Sequence, residues 1–378
     1  MRFPDLGNGG GVAAEHSGGG RGRAAAAWRA GALVVMLGLV ACAPGPAQAP
    51  ASAGPERSAA PAAAAPAAAP TAVEPPLHVV ANWTAPTHAM TPFWVAQDTG
   101  VFREQGLDVE LLNVPGTSQV LQTMIAGEMN LSPLDPASTV QADLAGADIV
   151  LLLSMHNRLP FSIVTQPTIR DPEGLRGGTS IGVTRIGSSS HTAALVALRS
   201  WGLVPERDVA FRLLGTTPGI YAALEAGQID AAVATLPLPP SVREGYTELI
   251  NLATNGPEYP SVAIGGPRSW IAANEEATRR FLRAYVVARD RAKADKSLAL
   301  AAFRKYMQLD DPAQLDDTYA TYLSMYEPLP YVSEAGFARV LEDLAVEEPR
   351  AAGHRPAEYI DSKYTHELET AGYFQRGS

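Results

Sequence analysis

The turn Gly187-Ser188-Ser189-Ser190 carries the residue types best suited to holding a small anion. Glycine permits a close turn, the serines offer hydroxyl donors, and a helix is predicted to begin here, so free backbone N–H groups would face a ligand. Arg185 would suit an oxyanion such as a sulfonate or carboxylate. The same residues could equally form a plain helix N-cap with surface serines and a surface arginine. No Gly-Lys-Ser/Thr follows, so the turn is not a phosphate-binding P-loop.

A second polar loop, residues 82–91, is expected to form the opposing wall of a cleft with Trp83, Thr84, His88 and Thr91. The tryptophan could stack on a planar ligand, or it could simply close the edge of the core. Thr91 is also predicted to be the N-cap of a helix, with Pro92 at the first helical position.

Three further candidates, Asp135, Ser138 and His156, follow other predicted strands and would join the rim of the same cleft. Asp135 precedes Pro136, which is also a typical helix-cap pair. His156 lies where the chain is expected to cross between two halves, so it could be a hinge residue instead.

Enzymatic chemistry is not indicated by the sequence motifs. No Gly-x-Ser-x-Gly nucleophile elbow and no His-Glu-x-x-His motif occurs. Ser190 and His191 are neighbours without an orienting acid nearby, and the seven histidines are scattered. We therefore predict no catalytic residue, no metal site and no cofactor. Convergence of His88, His156 and His191 on a metal is the less favoured alternative.

Predicted strands and helices alternate along the chain, which indicates an α/β fold whose ligand loops follow the carboxyl ends of strands. The segment from Gly116 to Asn130 is echoed by the segment from Gly215 to Asp230, which suggests two lobes of like construction. The strands are expected at 79–81, 107–111, 129–134, 149–153, 162–165, 179–183, 209–214, 229–235 and 261–264. The helices are expected at 91–99, 120–126, 135–146, 190–201, 217–227, 275–293, 298–307, 312–326, 333–345 and 357–370.

Residues 1–41 are predicted to be an export signal, and residues 42–75 a tether. Cys42, the only cysteine, follows a basic segment and the apolar run 30–41. The sequence Leu39-Val40-Ala41-Cys42 resembles the bacterial lipoprotein signal, which implies that Cys42 is lipidated and anchors the chain outside the cell membrane. Residues 42–75, rich in Ala, Pro, Ser and Gly, cannot form a core and are predicted to be a disordered tether.

The composition argues against one class of partner. The formal net charge is −10, without a run of basic residues, so nucleic acid is not an expected partner. With 378 residues, the chain is long enough for two lobes with cores of their own.

Residues 77–251 resemble the substrate-binding proteins of ABC transporters in the nitrate/sulfonate/taurine and thiamine-precursor group. The motifs carrying the resemblance occur in family order: 92–96 with 100–102, 105–110, 126–128, 144–148, 171–178 and 223–232. The resemblance implies a periplasmic-binding-protein type II fold, with two α/β lobes joined by two crossing strands and a ligand cleft between them. We place lobe I at 76–156 and 261–378 and lobe II at 157–260.

The function implied by this resemblance is capture of a small organic or oxyanionic ligand, by hinged closure, for an ABC permease with its ATPase. The protein would act as a monomer. His88 resembles a position in the thiamine-precursor branch, which would favour a pyrimidine-like ligand. An enzyme of the same fold acting on a pyrimidine-like thiamine precursor is an alternative, but its cysteine-rich motif is absent from this sequence. A transporter-independent sensory module is another.

Overall fold

The computed structural model describes residues 75–374, which form an α/β fold of strands alternating with helices. The strands are β1 (Leu77–Trp83), β2 (Leu107–Asn113), β3 (Ser132–Leu134), β4 (Ile149–His156), β5 (Phe161–Thr165), β6 (Thr179–Val183), β7 (Val209–Leu213), β8 (Ala231–Thr235), β9 (Thr247–Asn251) and β10 (Val262–Pro267).

The helices of the first two-thirds of the chain connect these strands: α1 (Thr91–Asp98), α2 (Val101–Glu104), α3 (Thr117–Ile125), α4 (Pro136–Leu144), α5 (Ser189–Ser200), α6 (Thr217–Glu225), α7 (Pro240–Gly245) and α8 (Leu252–Asn255). The helices of the last third follow β10: α9 (Arg268–Ala273), α10 (Glu275–Ala294), α11 (Lys296–Ala302), α12 (Pro312–Ser324), α13 (Glu334–Glu347) and α14 (Lys363–Thr370). In the described part of the chain, no helix combines the length and apolar character needed to cross a membrane.

The first lobe is built on β1 to β4 and β10. Strand β1 pairs in parallel with β2, and β10 lies antiparallel between β3 and β4. An isolated parallel bridge from Ala81 to Leu131 connects the two sheets. Every residue of β4 is buried, because α4 and α14 pack against the strand.

The second lobe is built on a five-stranded sheet in the order β7-β6-β8-β5-β9. Strands β6, β7 and β8 run parallel, whereas β5 runs antiparallel to both β8 and β9. The sequence echo has a structural counterpart, since β2 leads into α3 in the first lobe as β7 leads into α6 in the second.

The chain crosses between the lobes twice, after β4 and again before β10. The two crossings run side by side, because the backbone N–H of Tyr259 donates to the carbonyl of Asn157 at 2.7 Å. The backbone N–H of Ser261 donates to the carbonyl of His156 at 3.0 Å. This geometry agrees with the expected two-lobe fold.

Several predicted elements differ from the observed ones. The expected strand 129–134 begins only at Ser132, and the expected helix 357–370 is a short 3-10 turn followed by α14. Strand β9 and helices α7 and α9 were not predicted, since they are short and only partly buried. Thr91 is the first residue of α1 rather than its N-cap, because a 3-10 turn at residues 88–90 leads directly into the helix.

Candidate ligand-binding site

A cavity of about 680 Å³ lies between the two lobes. The first lobe contributes the beginnings of α3 and α4 and one side of α13. The second lobe contributes the turn after β6 and the beginning of α6, and both crossings also line the cavity. This volume accommodates a small organic molecule.

Four helices begin at the wall of this cavity. Thr117 of α3, Asp135 before α4, Ser188 before α5 and Thr217 of α6 all line it. The unpaired N–H groups at a helix N-terminus act as roughly half a positive charge. Their convergence makes this part of the wall favourable for a negatively charged group.

The turn between β6 and α5 is held together by its own hydroxyl groups. The hydroxyls of Thr184, Ser188 and Ser190 lie within 3.0 Å of one another. Ser188 is the N-cap of α5 and accepts from the backbone N–H of His191 at 3.3 Å, while its own proton goes to the carbonyl of Arg185 at 2.7 Å. Ser188 and Ser190 therefore serve the structure of the turn as well as lining the cavity.

Ser189 and Arg185 differ from their neighbours in this turn. Both side chains are exposed and line the cavity. Within the described residues neither side chain has a hydrogen-bond or ion-pair partner. They are the residues of the predicted turn whose donors are available to a ligand.

Asp135 is the N-cap of α4, which was the alternative to a ligand-binding role for this residue. The carboxylate accepts from the backbone N–H of Ser138 at 2.7 Å, and both residues line the cavity. Burial raises the pKa of Asp135. Because this carboxylate already compensates the N-terminus of α4, α4 attracts an anion less strongly than α5 does.

His191 and Tyr259 add two neutral polar groups to the wall. Burial lowers the pKa of His191, and its Nδ1 accepts from the backbone N–H of Gly187 at 3.2 Å, which leaves Nε2 to carry the ring proton. Burial also raises the pKa of Tyr259, so its hydroxyl stays protonated. In the part of the chain that the structure describes, no group of His, Cys, Asp and Glu side chains is arranged to hold a metal ion.

The comparisons with known proteins agree with this architecture. A family model described as "NMT1/THI5 like" matches residues 87–297, which is more than half of the chain. This chain belongs to the NMT1/THI5-like family. A Brucella abortus (strain 2308) protein named only as a candidate binding protein is 24% identical over 224 residues, covering 57% of this chain and 67% of its own length.

Solved structures with the same fold include binding proteins for different anions. The periplasmic aliphatic sulphonate binding protein SsuA from Escherichia coli has a TM-score of 0.61 at 20% identity, over 74% of this chain and 95% of its own. The periplasmic nitrate-binding protein NrtA from Synechocystis PCC 6803 has a TM-score of 0.60 at 10% identity, over 80% and 92%. The expected periplasmic-binding-protein fold is confirmed.

Part of the cavity wall lies outside the segment matched by the NMT1/THI5-like model. Val340, Asp343 and Glu347 of α13 line the cavity, whereas the match ends at residue 297. The sequence offered only helical spacing in this region, so these residues were not predicted as part of the site. Thr117 and Ser118 were also missed, although the sequence echo marks their turn as the counterpart of residues 216–217 in the second lobe.

The loop predicted as the opposing wall does not line this cavity. Trp83 is partly buried and packs edge-on against Trp94, with ring centroids 5.6 Å apart, and against Tyr306 at 6.1 Å. Thr84 follows it and is also only partly exposed. Trp83 is thus placed at the edge of the first-lobe core, which was the structural alternative stated for it.

His88, Thr91 and His156 are buried in the first lobe, also outside the cavity lining. The two imidazole rings have centroids 5.9 Å apart, and the Thr91 hydroxyl donates to the carbonyl of His88 at 2.6 Å. Within the described residues, His88 Nε2 and both amide atoms of Asn82 lack hydrogen-bond partners. Cys42, the predicted lipidation site, lies outside the described residues.

Proposed function

We propose that this chain is an extracytoplasmic, lipid-anchored solute-binding protein that captures a small organic or oxyanionic molecule for an ABC importer. The observation that carries the proposal is the cavity between the two lobes, on which the N-termini of α3, α4, α5 and α6 converge. Binding rather than catalysis fits a wall on which helix N-termini, serine hydroxyls and Arg185 supply the donors. The names of the sulphonate- and nitrate-binding neighbours support the same class of function.

Hinged closure of the lobes is the motion we assign to this function. Lobe I is taken as 76–156 and 261–378 and lobe II as 157–260, because the sheets divide at the two crossings. A ligand that contacts both walls binds the closed form better than the open one, and it therefore shifts the population towards closure.

The proposed ligand carries a negatively charged oxyanion or a polar heterocycle. Arg185 and Ser189 present free donors at the α5 N-terminus, and Leu159 and Phe161 contribute apolar surface to the same cavity. An oxyanion on a short apolar body would match both features. Ser188 and Ser190 also line the wall, although the turn already uses their hydroxyls.

A thermal-shift and calorimetric screen of the purified protein tests the proposal. The panel contains taurine, alkanesulfonates, nitrate, pyrimidines and riboflavin. A true ligand at about 100 times its dissociation constant stabilises the fold by about 2.7 kcal/mol. Recovery of the compound unchanged after incubation is expected, whereas turnover would favour an enzyme of the same fold.

Two variants locate the binding site within that screen. Arg185→Gln should weaken binding of the selected ligand, whereas Arg170→Gln, which removes an exposed arginine outside the cavity lining, should not. An affinity of Arg185→Gln equal to that of the parent protein would remove Arg185 from the site. Absence of binding by every compound in the panel would count against the small-ligand proposal itself.

Lipid anchoring at Cys42 is proposed from the sequence and has its own test. Membrane fractionation and mass spectrometry of the mature N-terminus should find a lipid-modified Cys42 in the membrane fraction. The Cys42→Ser variant should carry no lipid modification, because it has no acceptor for the acyl chains. A mature N-terminus of the parent protein without acyl chains would contradict the anchor.

A further inference from the structure

Helix α13 belongs to one lobe and touches the other. Phe337, Leu341 and Leu344 pack into a first-lobe cluster that contains Leu134 and Ile149. Between these residues on the helix, Val340 is 1% exposed and belongs to the apolar cluster of the second lobe. The helix therefore contributes to the cores on both sides of the cavity.

An ion pair between the lobes lies one turn further along α13. Asp343 pairs with Arg199 of α5, and the Asp343 side chain is only 15% exposed. Glu347, one turn further along α13, lies next to the turn after β6, where a Cβ on Gly187 would be 4.0 Å from its Oε2. Within the residues described, Arg199 has no second acidic partner among the ion pairs.

The other end of α13 is fixed to the crossing segment. The Ser333 hydroxyl donates to Glu258 Oε2 at 2.5 Å, and the Arg339 guanidinium donates to the carbonyl of Glu258 at 2.9 Å. Gly336 lies so close to Pro260 that a Cβ would approach its ring to 2.6 Å. The N-terminal end of α13 is thus held against the crossings, and its C-terminal half lines the cavity and contacts the second lobe.

We propose that α13 is a latch that holds the lobes together in the absence of ligand, through the Arg199–Asp343 ion pair and the seating of Val340. The inference rests on the proposed lobe closure. Separation of the walls would expose Val340 and leave both charges of the pair unpartnered. These contacts therefore favour the closed form independently of any ligand contact.

The latch sets how often the cavity opens and hence how fast a ligand exchanges. Weakening it lowers the fraction of the protein in the binding-competent closed form, and the apparent dissociation constant rises by the inverse of that fraction. We expect Asp343→Asn to raise the apparent dissociation constant about three- to tenfold and to speed ligand release. Part of the pair is exposed, so raising the ionic strength should shift the parent protein in the same direction.

The direct test measures the distance between the lobes without ligand. Spin labels are placed on the full-length chain at Glu128→Cys in the first lobe and Arg212→Cys in the second, in a Cys42→Ser background, since both positions are exposed. Pulsed electron–electron double resonance should show a longer or broader distribution of label-to-label distances for Asp343→Asn than for the parent protein. Arg199→Gln with Asp343→Asn should be no more open than Asp343→Asn alone, because the pair is already broken.

Glu276→Gln is the matched control, since it removes an ion pair of 2.7 Å between Glu276 and Arg280 within α10. It should leave the distribution unchanged. Val340→Ala tests the latch without changing a charge. It replaces Asp343→Asn in the distance measurement if the circular-dichroism spectrum shows that Asp343→Asn does not fold. Distributions of Asp343→Asn and Val340→Ala that superimpose on the parent would overturn the latch. Because no ligand is used, an open Asp343→Asn variant would support the latch even if the ligand panel failed.

Discussion

The loop after β1 and the turn after β6 have similar sequences of elements and different surroundings. Each follows a strand of a parallel pair and leads through polar residues into a helix. In the first lobe, His88 is buried and Trp83 lies against the core. In the second lobe, Arg185 and Ser189 are exposed at the wall of the cavity.

Segments far away in the sequence cause this difference. Trp83 is covered partly by Tyr306, which belongs to the π-helical segment Phe303–Met307. The turn after β6 faces α13 instead, and the space between them is the cavity. A strand–loop–helix unit therefore becomes part of the core or part of the ligand wall according to which distant segment packs over it.

The largest expected effect is the pH dependence of stability caused by the two buried histidines. Burial lowers the pKa of His88 to about 4 and that of His156 to about 3, from 6.5 in an unfolded chain. As the pH falls below 6.5, the unfolded chain binds protons that the folded chain does not, so the free energy of unfolding decreases. We expect a loss of roughly 5 kcal/mol between pH 7 and pH 4.5, about half from each ring.

Urea unfolding across this pH range measures the effect. The slope of the unfolding free energy against pH gives the number of protons taken up on unfolding. His88→Gln should reduce this number by about one, and addition of His156→Gln should reduce it by about one more. A slope that is the same in the parent and in the double variant would show that these histidines are not buried as neutral groups.

The next effect concerns the tryptophan at the edge of the first-lobe core. Trp83→Ala removes the contacts with Trp94 and Tyr306 and should lower the free energy of unfolding by about 2–4 kcal/mol. The effect on the affinity for a ligand should be small, because Trp83 does not line the cavity. Unchanged stability together with lost binding would instead assign Trp83 to the ligand site.

A smaller effect separates two neighbouring serines of the second-lobe turn. Ser188→Ala removes the N-cap of α5 and should lower the free energy of unfolding by about 1 kcal/mol. Ser189→Ala should leave stability unchanged, because the side chain is exposed. Thermal unfolding of the two variants measures this contrast, and an equal loss in both would contradict the capping role of Ser188.

A small effect on stability, together with a loss of affinity, is expected at Arg185. Its side chain is exposed, so Arg185→Gln should change the free energy of unfolding by less than about 0.5 kcal/mol. The affinity for an anionic ligand should fall by about tenfold or more, because a charge-assisted hydrogen bond is lost. A variant with reduced stability and full affinity would place Arg185 in the structure of the turn rather than in the site.

Local signals predicted the elements that begin with a cap or a proline. Asp135-Pro136 and Thr217-Pro218 both occur at observed helix starts, since capping depends on neighbours within one turn. Thr91-Pro92 shows the limit of such signals. The helix is present, but Thr91 rather than Pro92 is its first residue, because a 3-10 turn precedes it. The short edge strand β9 gave no alternation pattern because its residues are only partly buried.

The order of the longer strands and helices, the duplicated strand–helix units and the hydroxyl-rich turn that begins α5 follow from the amino-acid sequence. These depend on periodicity, capping and backbone freedom, which act over a few residues. Only tertiary packing places core aromatics over residues 82–91 and brings α13 to the wall of the cavity. Burial and ion pairing at those places depend on partners more than a hundred residues away, so no local pattern records them.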